Sequence, residues 1–592
     1  MSAPTMSWRA VALAAVLALA GCSGLPSSST VERGLPVLGA PLQGVQALPD
    51  GPEEGASAQD VLSGFLLANV SFDDDHEVAR QFLTAELART WVPTQRTLVY
   101  SGDPELQSPR EGLVVASVTA LGAVDAQGYL TEFPEGTSTS ARFSVEDVED
   151  QWRISSFPEE YGLWLSEADF ERTYRSAQIS YLAPHRRVFV PDVRWFPRGD
   201  GLPTALARAL IEQPPDYLEG AVTTAVPEGT ELAAAAVPVD PTLGVATVEL
   251  RGLGSGAEPG QTERLLAQFS QTLLQAPGVS GVQVRSEEGL LPTGDVDGPV
   301  EDSSQVGYDS ATTAVPYALL RSNVELEVVD PFHSRVLPYT PDTGASAPGP
   351  LPDIPVRWSH LAADADVTDL AAVSVDGRTL ARWRGNDQLE VDGLGTRLTP
   401  PSFDRLGGLW VAGRSGSGAR VWVLDTSGAF RDATTTAVEA DWIGENEDVV
   451  AFRVAPDDQR AVVHLRDTES DADRLGLVGI VRDRDGQPVA LSEPRPVGQA
   501  LAQVETVDWA SSSQLVVLGR AETDLQELPY VLNLGGWMVP LRGVIDAEVV
   551  KGVPAAEQEA LVLIDDRGRV YTQERDDWYF ARNGDDLVVP GN

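Results

Sequence analysis

Leu370-Ala371-Ala372-Val373-Ser374-Val375-Asp376-Gly377-Arg378-Thr379-Leu380-Ala381 is an apolar run, an Asp-Gly turn and a second alternating run. That order spells two antiparallel strands joined by a tight turn. The phrase returns at Val454 to Val462 around Pro456-Asp457-Asp458, and from Val507-Asp508-Trp509 into Leu515 to Leu518. It returns again at Leu561 to Asp566, followed by Arg567-Gly568-Arg569-Val570-Tyr571. Leu409-Trp410-Val411 and Val421-Trp422-Val423-Leu424-Asp425 add further strand pairs. Strand, acidic turn, strand, repeated across 319–592, is the pattern of an all-β propeller rather than a sandwich. At ~40–45 residues per blade the length holds about six blades.

Toward the N-terminus, residues 296–318 are acidic and polar and read as a linker. Before them, 179–295 reads as an α+β domain. Its strands are Ile179 to Leu182, Arg187 to Val190, Leu232 to Val237, Val245 to Leu250 and Val282 to Val284. One helix follows Pro203, and a second, Thr262 to Leu274, aligns Leu265, Leu266, Phe269 and Leu273 on one stripe. Residues 56–178 form another α+β unit with its helices first. Ser57 opens a helix carrying Val61, Leu62 and Phe65, and a second helix from about Asp75 groups Val78, Phe82 and Leu83. Five strand-like runs follow between Thr97 and Phe157.

Residues 22–55 are a Ser/Pro-rich linker, with Ser27-Ser28-Ser29 and prolines at 26, 36, 41, 49 and 52. Such a segment is extended and semi-rigid. Residues 1–21 have the form of a signal peptide: Arg9, then an apolar run from Ala10 to Leu19. That run is shorter than the ~20 residues a spanning helix requires. Leu19-Ala20-Gly21 immediately precedes Cys22, and this resembles the bacterial lipoprotein signal, in which the cysteine is lipidated and becomes the mature N-terminus. The resemblance implies a diacylglyceryl group on the Cys22 sulfur, with N-acylation of its amine as a further modification. The localisation expected is the extracytoplasmic face of the cell membrane.

Composition narrows the function. The chain has 88 acidic and 43 basic residues among 592, a formal charge of −45. No basic surface of the kind that tracks phosphates can be assembled from it, so nucleic acid is excluded as a partner. Peripheral attachment to anionic lipid headgroups is disfavoured by the same repulsion. The acidity serves solubility or forms a face for a basic partner. Cys22 is the single cysteine, so there is no intrachain disulfide, and Lys551 is the single lysine.

Catalytic signatures are absent: no P-loop, no glycine-rich dinucleotide turn and no nucleophile elbow. His76, His185, His333, His360 and His464 are scattered without metal-ligand spacing, so no metal and no cofactor is expected. His76 with Asp73 to Asp75 is the candidate cluster in the first domain, read more simply as acidic capping of a helix start. Three histidines, His333, His360 and His464, belong to the propeller and would matter if they met at its axis. Asp483-Arg484-Asp485-Gly486 looks like part of a calcium loop but lacks the closing glutamate, and reads as a turn. Leu291-Pro292-Thr293-Gly294 reads as a loop.

The pattern over 56–178 is similar to the NTF2-like fold. Val226-Pro227-Glu228-Gly229-Thr230, the late helix and Pro277-Gly278-Val279 leading into a strand resemble the GerMN domain of sporulation and germination proteins. With Cys22 before them and a propeller behind, this order resembles the LpqB lipoprotein family of actinobacteria over nearly the whole mature chain. The resemblance implies a non-enzymatic accessory of the MtrA–MtrB two-component system. Its partner would be the extracellular part of the sensor kinase MtrB, and its effect would fall on envelope homeostasis. Only Cys22 carries over as a family residue. An envelope carbohydrate-acting propeller enzyme and a structural cell-wall binder are the alternatives.

Overall fold

The computed structural model describes residues 50–591, apart from 73–74, 254–259, 294–297, 310–316, 333–336, 341–348, 417, 432–433, 555–559 and 576. Leu19, Ala20, Gly21 and Cys22 therefore lie outside the described residues, as do Asp73, Asp74 and His333. Residues 49–592 form one compact unit.

The first domain opens on the helix Ala58–Ala68, whose capping box pairs Ser57 with Asp60. Its buried face, Val61, Leu62, Phe65 and Leu66, seals one side of a sheet. In that sheet, Gln151–Ser156, Ser138–Val148, Leu113–Asp125, Arg96–Arg110 and Leu163–Ser166 lie side by side. The second helix is a single turn, Glu77–Arg80, with Ala85–Thr90 after it.

The middle domain begins with the hairpin Tyr174–Leu182 and Phe189–Pro197. The helix Gln261–Leu273 then links two parallel strands, Val245–Arg251 and Gly281–Ser286. Only Glu231–Leu232 of the strand expected from Leu232 to Val237 pairs into a sheet. Residues 299–309, expected as linker, instead complete this core. Val300 bridges to Val282, and Val300, Val306 and Tyr308 are buried. Burial of these three side chains, at ~25 cal/mol for each Å² of apolar surface removed from water, acts with backbone bonds from the segment to Val282, Phe189 and Arg187 to hold it down.

Residues 318–588 fold as six sheets arranged as propeller blades. Each of blades 2 to 6 runs in chain order from the axis outward, starting on Trp358–Ala363, Ser402–Phe403, Glu447–Val454, Leu501–Ser511 and Ala547–Val553. Blade 1 differs. Its innermost strand is Asp586–Val588, which pairs antiparallel with Ala318–Ser322 and so joins the two ends of the propeller sequence. Leu587 and Leu320 pack with Val562 and Ile564 of blade 6, and the ring is complete. The Asp-Gly turns of the sequence are real turns: Gly377 and Gly568 adopt φ of 65° and 70°, which a side chain would strain. Between blades, Trp410 stacks on Phe452 at 5.3 Å. The Trp509 indole donates to the Arg453 carbonyl at 3.0 Å.

The three domains are joined by buried polar groups. Asp192, on the hairpin, accepts from the Tyr129 and Tyr217 hydroxyls at 2.8 Å each and from Arg194 Nε at 2.6 Å. Arg495 of the propeller approaches the same carboxylate at 3.6 Å. First domain, middle domain and propeller thus converge on one buried charge. Trp537 of blade 5 also lies against Gly122 of the first domain, where an added Cβ would come within 3.0 Å of the indole. Among the described residues no helix is long and apolar enough to cross a membrane.

Candidate functional site at the propeller axis

The innermost strands of five blades, with the 397–400 segment that precedes the innermost strand of blade 3, line a cavity of about 410 Å³. Its floor and its rim differ because the strands are long. Arg453 stands near the far end of Glu447–Val454 and Lys551 past the middle of Ala547–Val553, at the floor, while Arg397 and Asp448 stand where the chain enters the innermost strands, at the rim. The Lys551 side chain is 12% exposed and that of Arg397 70%, while the rim carboxylate Asp448, under Arg397 and Arg414, is 14% exposed.

His360 reaches the cavity through a distortion. The pairing of Trp358–Ala363 with Asp369–Ser374 slips between Ser359 and Ala362, and His360 in that bulge takes φ of 55°. A bulge re-aims a side chain, and a left-handed non-glycine residue costs on the order of 1 kcal/mol or more. The adjoining Leu361 N–H is held by Asp586 Oδ2 at 2.9 Å, so blade 1's closing strand fixes the bulge of blade 2. Enclosure by protein lowers the His360 pKa, and the nearby Asp586 carboxylate opposes that shift.

Lys551 is held loosely, 3.8 Å from Asp508 Oδ2. Burial lowers its pKa, and the Arg453 guanidinium adds to the effect. Arg453 donates Nη1 to the Pro401 carbonyl at 2.8 Å, and its buried Nε has no partner. Behind the wall, Arg321 gives Nη1 to the Trp358 carbonyl at 2.6 Å. Four cations against three carboxylates in a part-apolar cavity have the makings of a small-molecule site.

Among the described residues the histidines do not assemble. His464 is buried in blade 4, its Nε2 2.8 Å from Asp473 Oδ1. Burial pushes the Asp473 carboxyl up, but hydrogen bonds from His464, Arg466 and the Val504 amide outweigh it and hold its pKa at about 2. His76 sits between the Phe72 and Trp91 rings, and burial takes its pKa down to about 4. The neighbouring Asp75 pairs with Arg80. His185 lies in a loop against Gly486. Asp483 Oδ1 accepts from the amides of Asp485 and Gln487, both at 2.9 Å, and makes the expected turn. Among the described residues no three His, Cys, Asp or Glu side chains cluster as metal ligands would. Sequence reasoning missed Arg453, Asp508 and Asp586 altogether. Its one available signal was Lys551, the only lysine in the chain.

The chain matches known families along most of its length. The family model of the lipoprotein LpqB N-terminal domain matches residues 51–171, that of sporulation and spore germination 173–289, and that of the lipoprotein LpqB beta-propeller domain 335–588. Lipoprotein LpqB of Streptomyces coelicolor is 28% identical over 94% of this chain and 92% of its own. That of Cutibacterium acnes is 28% identical over 95% of both chains, and that of Thermobifida fusca 25% identical over 97% of both.

Proposed function

Because the chain belongs to the lipoprotein LpqB family, we propose that it is a membrane-anchored accessory regulator without enzymatic activity. In this reading Cys22 carries the lipid on the extracytoplasmic face, and the folded body binds the ectodomain of the sensor kinase MtrB. The observation that carries it is colinearity: three domain families occur in the same chain, in order, with relatives named LpqB matching 94–97% of it. The buried junction at Asp192 supports a body that presents its domains as one rigid surface. A lipid anchor confines the search for a membrane partner to two dimensions and raises its effective concentration.

The test is crosslinking in intact cells. The single lysine lines the axis cavity, where a small acylating reagent but no partner protein would meet it, so a photoactivated residue on the body surface is the suitable crosslinking probe. A covalent adduct with the kinase ectodomain is the expected result. Its absence from a set of probes spread over all three domains would end the reading.

One observation favours a second reading, an enzyme acting on envelope carbohydrate: His360 and Asp586 do converge at the axis. That reading requires soluble sugar to be released from purified cell wall by the protein, and the release to be lost in His360→Ala.

A further inference from the structure

We propose that the axis cavity is a binding site for a small organic anion, a carboxylate or a phosphate ester, whose charged group lies on Arg453 and Lys551. The proposal goes beyond partner binding and does not rest on it.

Charge distribution is the first argument. Acidic residues outnumber basic ones 88 to 43 in the whole chain, but the cavity reverses the ratio. Arg397, Arg453, Arg466 and Lys551 line it against Asp448, Glu505 and Asp586. Two of the three carboxylates are engaged, while Glu505 is exposed; of the cations, Arg397 pairs with Asp448 and Arg466 with Asp473. Asp448 takes Arg397 and Arg414, and Asp586 takes the Leu361 amide. The floor cations are less fully engaged: Lys551 has its carboxylate only at 3.8 Å, and Arg453 is spent through Nη1 on a neutral acceptor, the Pro401 carbonyl. An anion in the cavity would give Lys551 and Arg453 a closer counter-charge than either has.

Shape is the second argument. Leu398, Val449, Val507 and Val550 wall the cavity above the polar floor, so the ligand that fits carries an apolar body on its charged head. His360, forced into the cavity by a strained bulge, supplies a polar contact on the opposite wall.

Access is the third. The middle domain docks on the turns that follow first and third strands. Arg186 pairs with Asp458 in the 455–459 turn, and Val193 packs against Gly535 after the third strand of blade 5. The cavity's rim residues Arg397 and Asp448 lie instead where the chain enters the innermost strands, at the other end of the blades. The middle domain therefore lies away from the mouth; at the mouth end the first domain touches blade 5 through Glu135 on Thr523.

Calorimetric titration of the purified full chain with inorganic phosphate, butyl phosphate, butyrate and butanol tests the site. Saturable binding of butyrate or butyl phosphate is expected, with none by butanol; which of the two binds tells carboxylate from phosphoryl recognition. Lys551→Gln and Arg453→Gln should each weaken binding by about tenfold or more, the loss of one charged hydrogen bond. Should either variant misfold, the wild-type chain gives an independent readout. Lys551 is its only lysine, so its acetylation by an amine reagent, followed on the tryptic peptide, must slow when the anion saturates the site. Failure of every anion to bind, equal binding by butanol, or an unchanged labelling rate would overturn the proposal.

Discussion

Arg460 donates Nη1 to the Pro191 carbonyl at 2.8 Å across 269 residues of chain. The guanidinium is fully buried in blade 4, pairs with Asp457 at 2.6 Å, and also donates to the Ser512 carbonyl at 2.5 Å. One side chain therefore bonds blade 4, blade 5 and the middle domain. Breaking a buried pair by removing one partner costs about 3–5 kcal/mol. Arg460→Met should lower stability by that order and loosen the middle domain from the ring, so that one thermal transition becomes two in calorimetry. Arg460→Lys should not rescue it, because a lysine lacks the planar fork that serves three acceptors.

Glu132 makes the contact between first domain and propeller sensitive to pH. Its Oε2 accepts the Met538 amide at 3.2 Å, and burial raises its pKa to about 7, against that bond's opposing pull. Between its ordinary value of 4.5 and about 7 the folded chain holds a proton that the unfolded chain has released. Stability from this group is thus greatest at low pH and falls as pH rises through that window. Glu132→Gln keeps an acceptor for Met538 and has nothing to titrate. The difference in Tm between variant and wild type should widen from pH 5 to pH 8, in the variant's favour.

Cys22→Ala should leave the Tm of the folded body unchanged and move the protein from membrane to soluble fraction. A single acyl chain gives only marginal anchoring, and stable attachment takes two. Retention of the variant in washed membranes would point to an attachment elsewhere in the chain.

Local chemistry was legible in the sequence, and distant geometry was not. Asp376-Gly377 and Gly568 announced their turns because the turn's requirement is met within four residues. Length allowed about six blades, but the irregular spacing of the strand-turn-strand matches did not fix that number. The axis was not legible, since His360, Arg453, Lys551 and Asp586 come from four blades and share no spacing. His360 would not enter the cavity without a bulge that Asp586, 226 residues later, helps to hold. Residues 299–309 misled for the opposite reason: their acidity drew attention away from Val300, Val306 and Tyr308, which decide where the segment lies.

Leu587→Asp should be among the most damaging single changes. It puts a charge at a fully buried position on the strand that closes blade 1. Loss of near-ultraviolet circular dichroism in the propeller tryptophans, with the first domain still protease-resistant, is the expected pattern.

That closing strand also sets an order of manufacture. A ribosome makes 318–322 more than 260 residues before the strand that will lie beside it, so the first blade waits, with one edge bare, through the synthesis of the other five. A message that ends early yields an open ring whose unpaired edge is available to another chain. In a protein without disulfides, completion of the last few residues is the step that separates a finished molecule from an adhesive one.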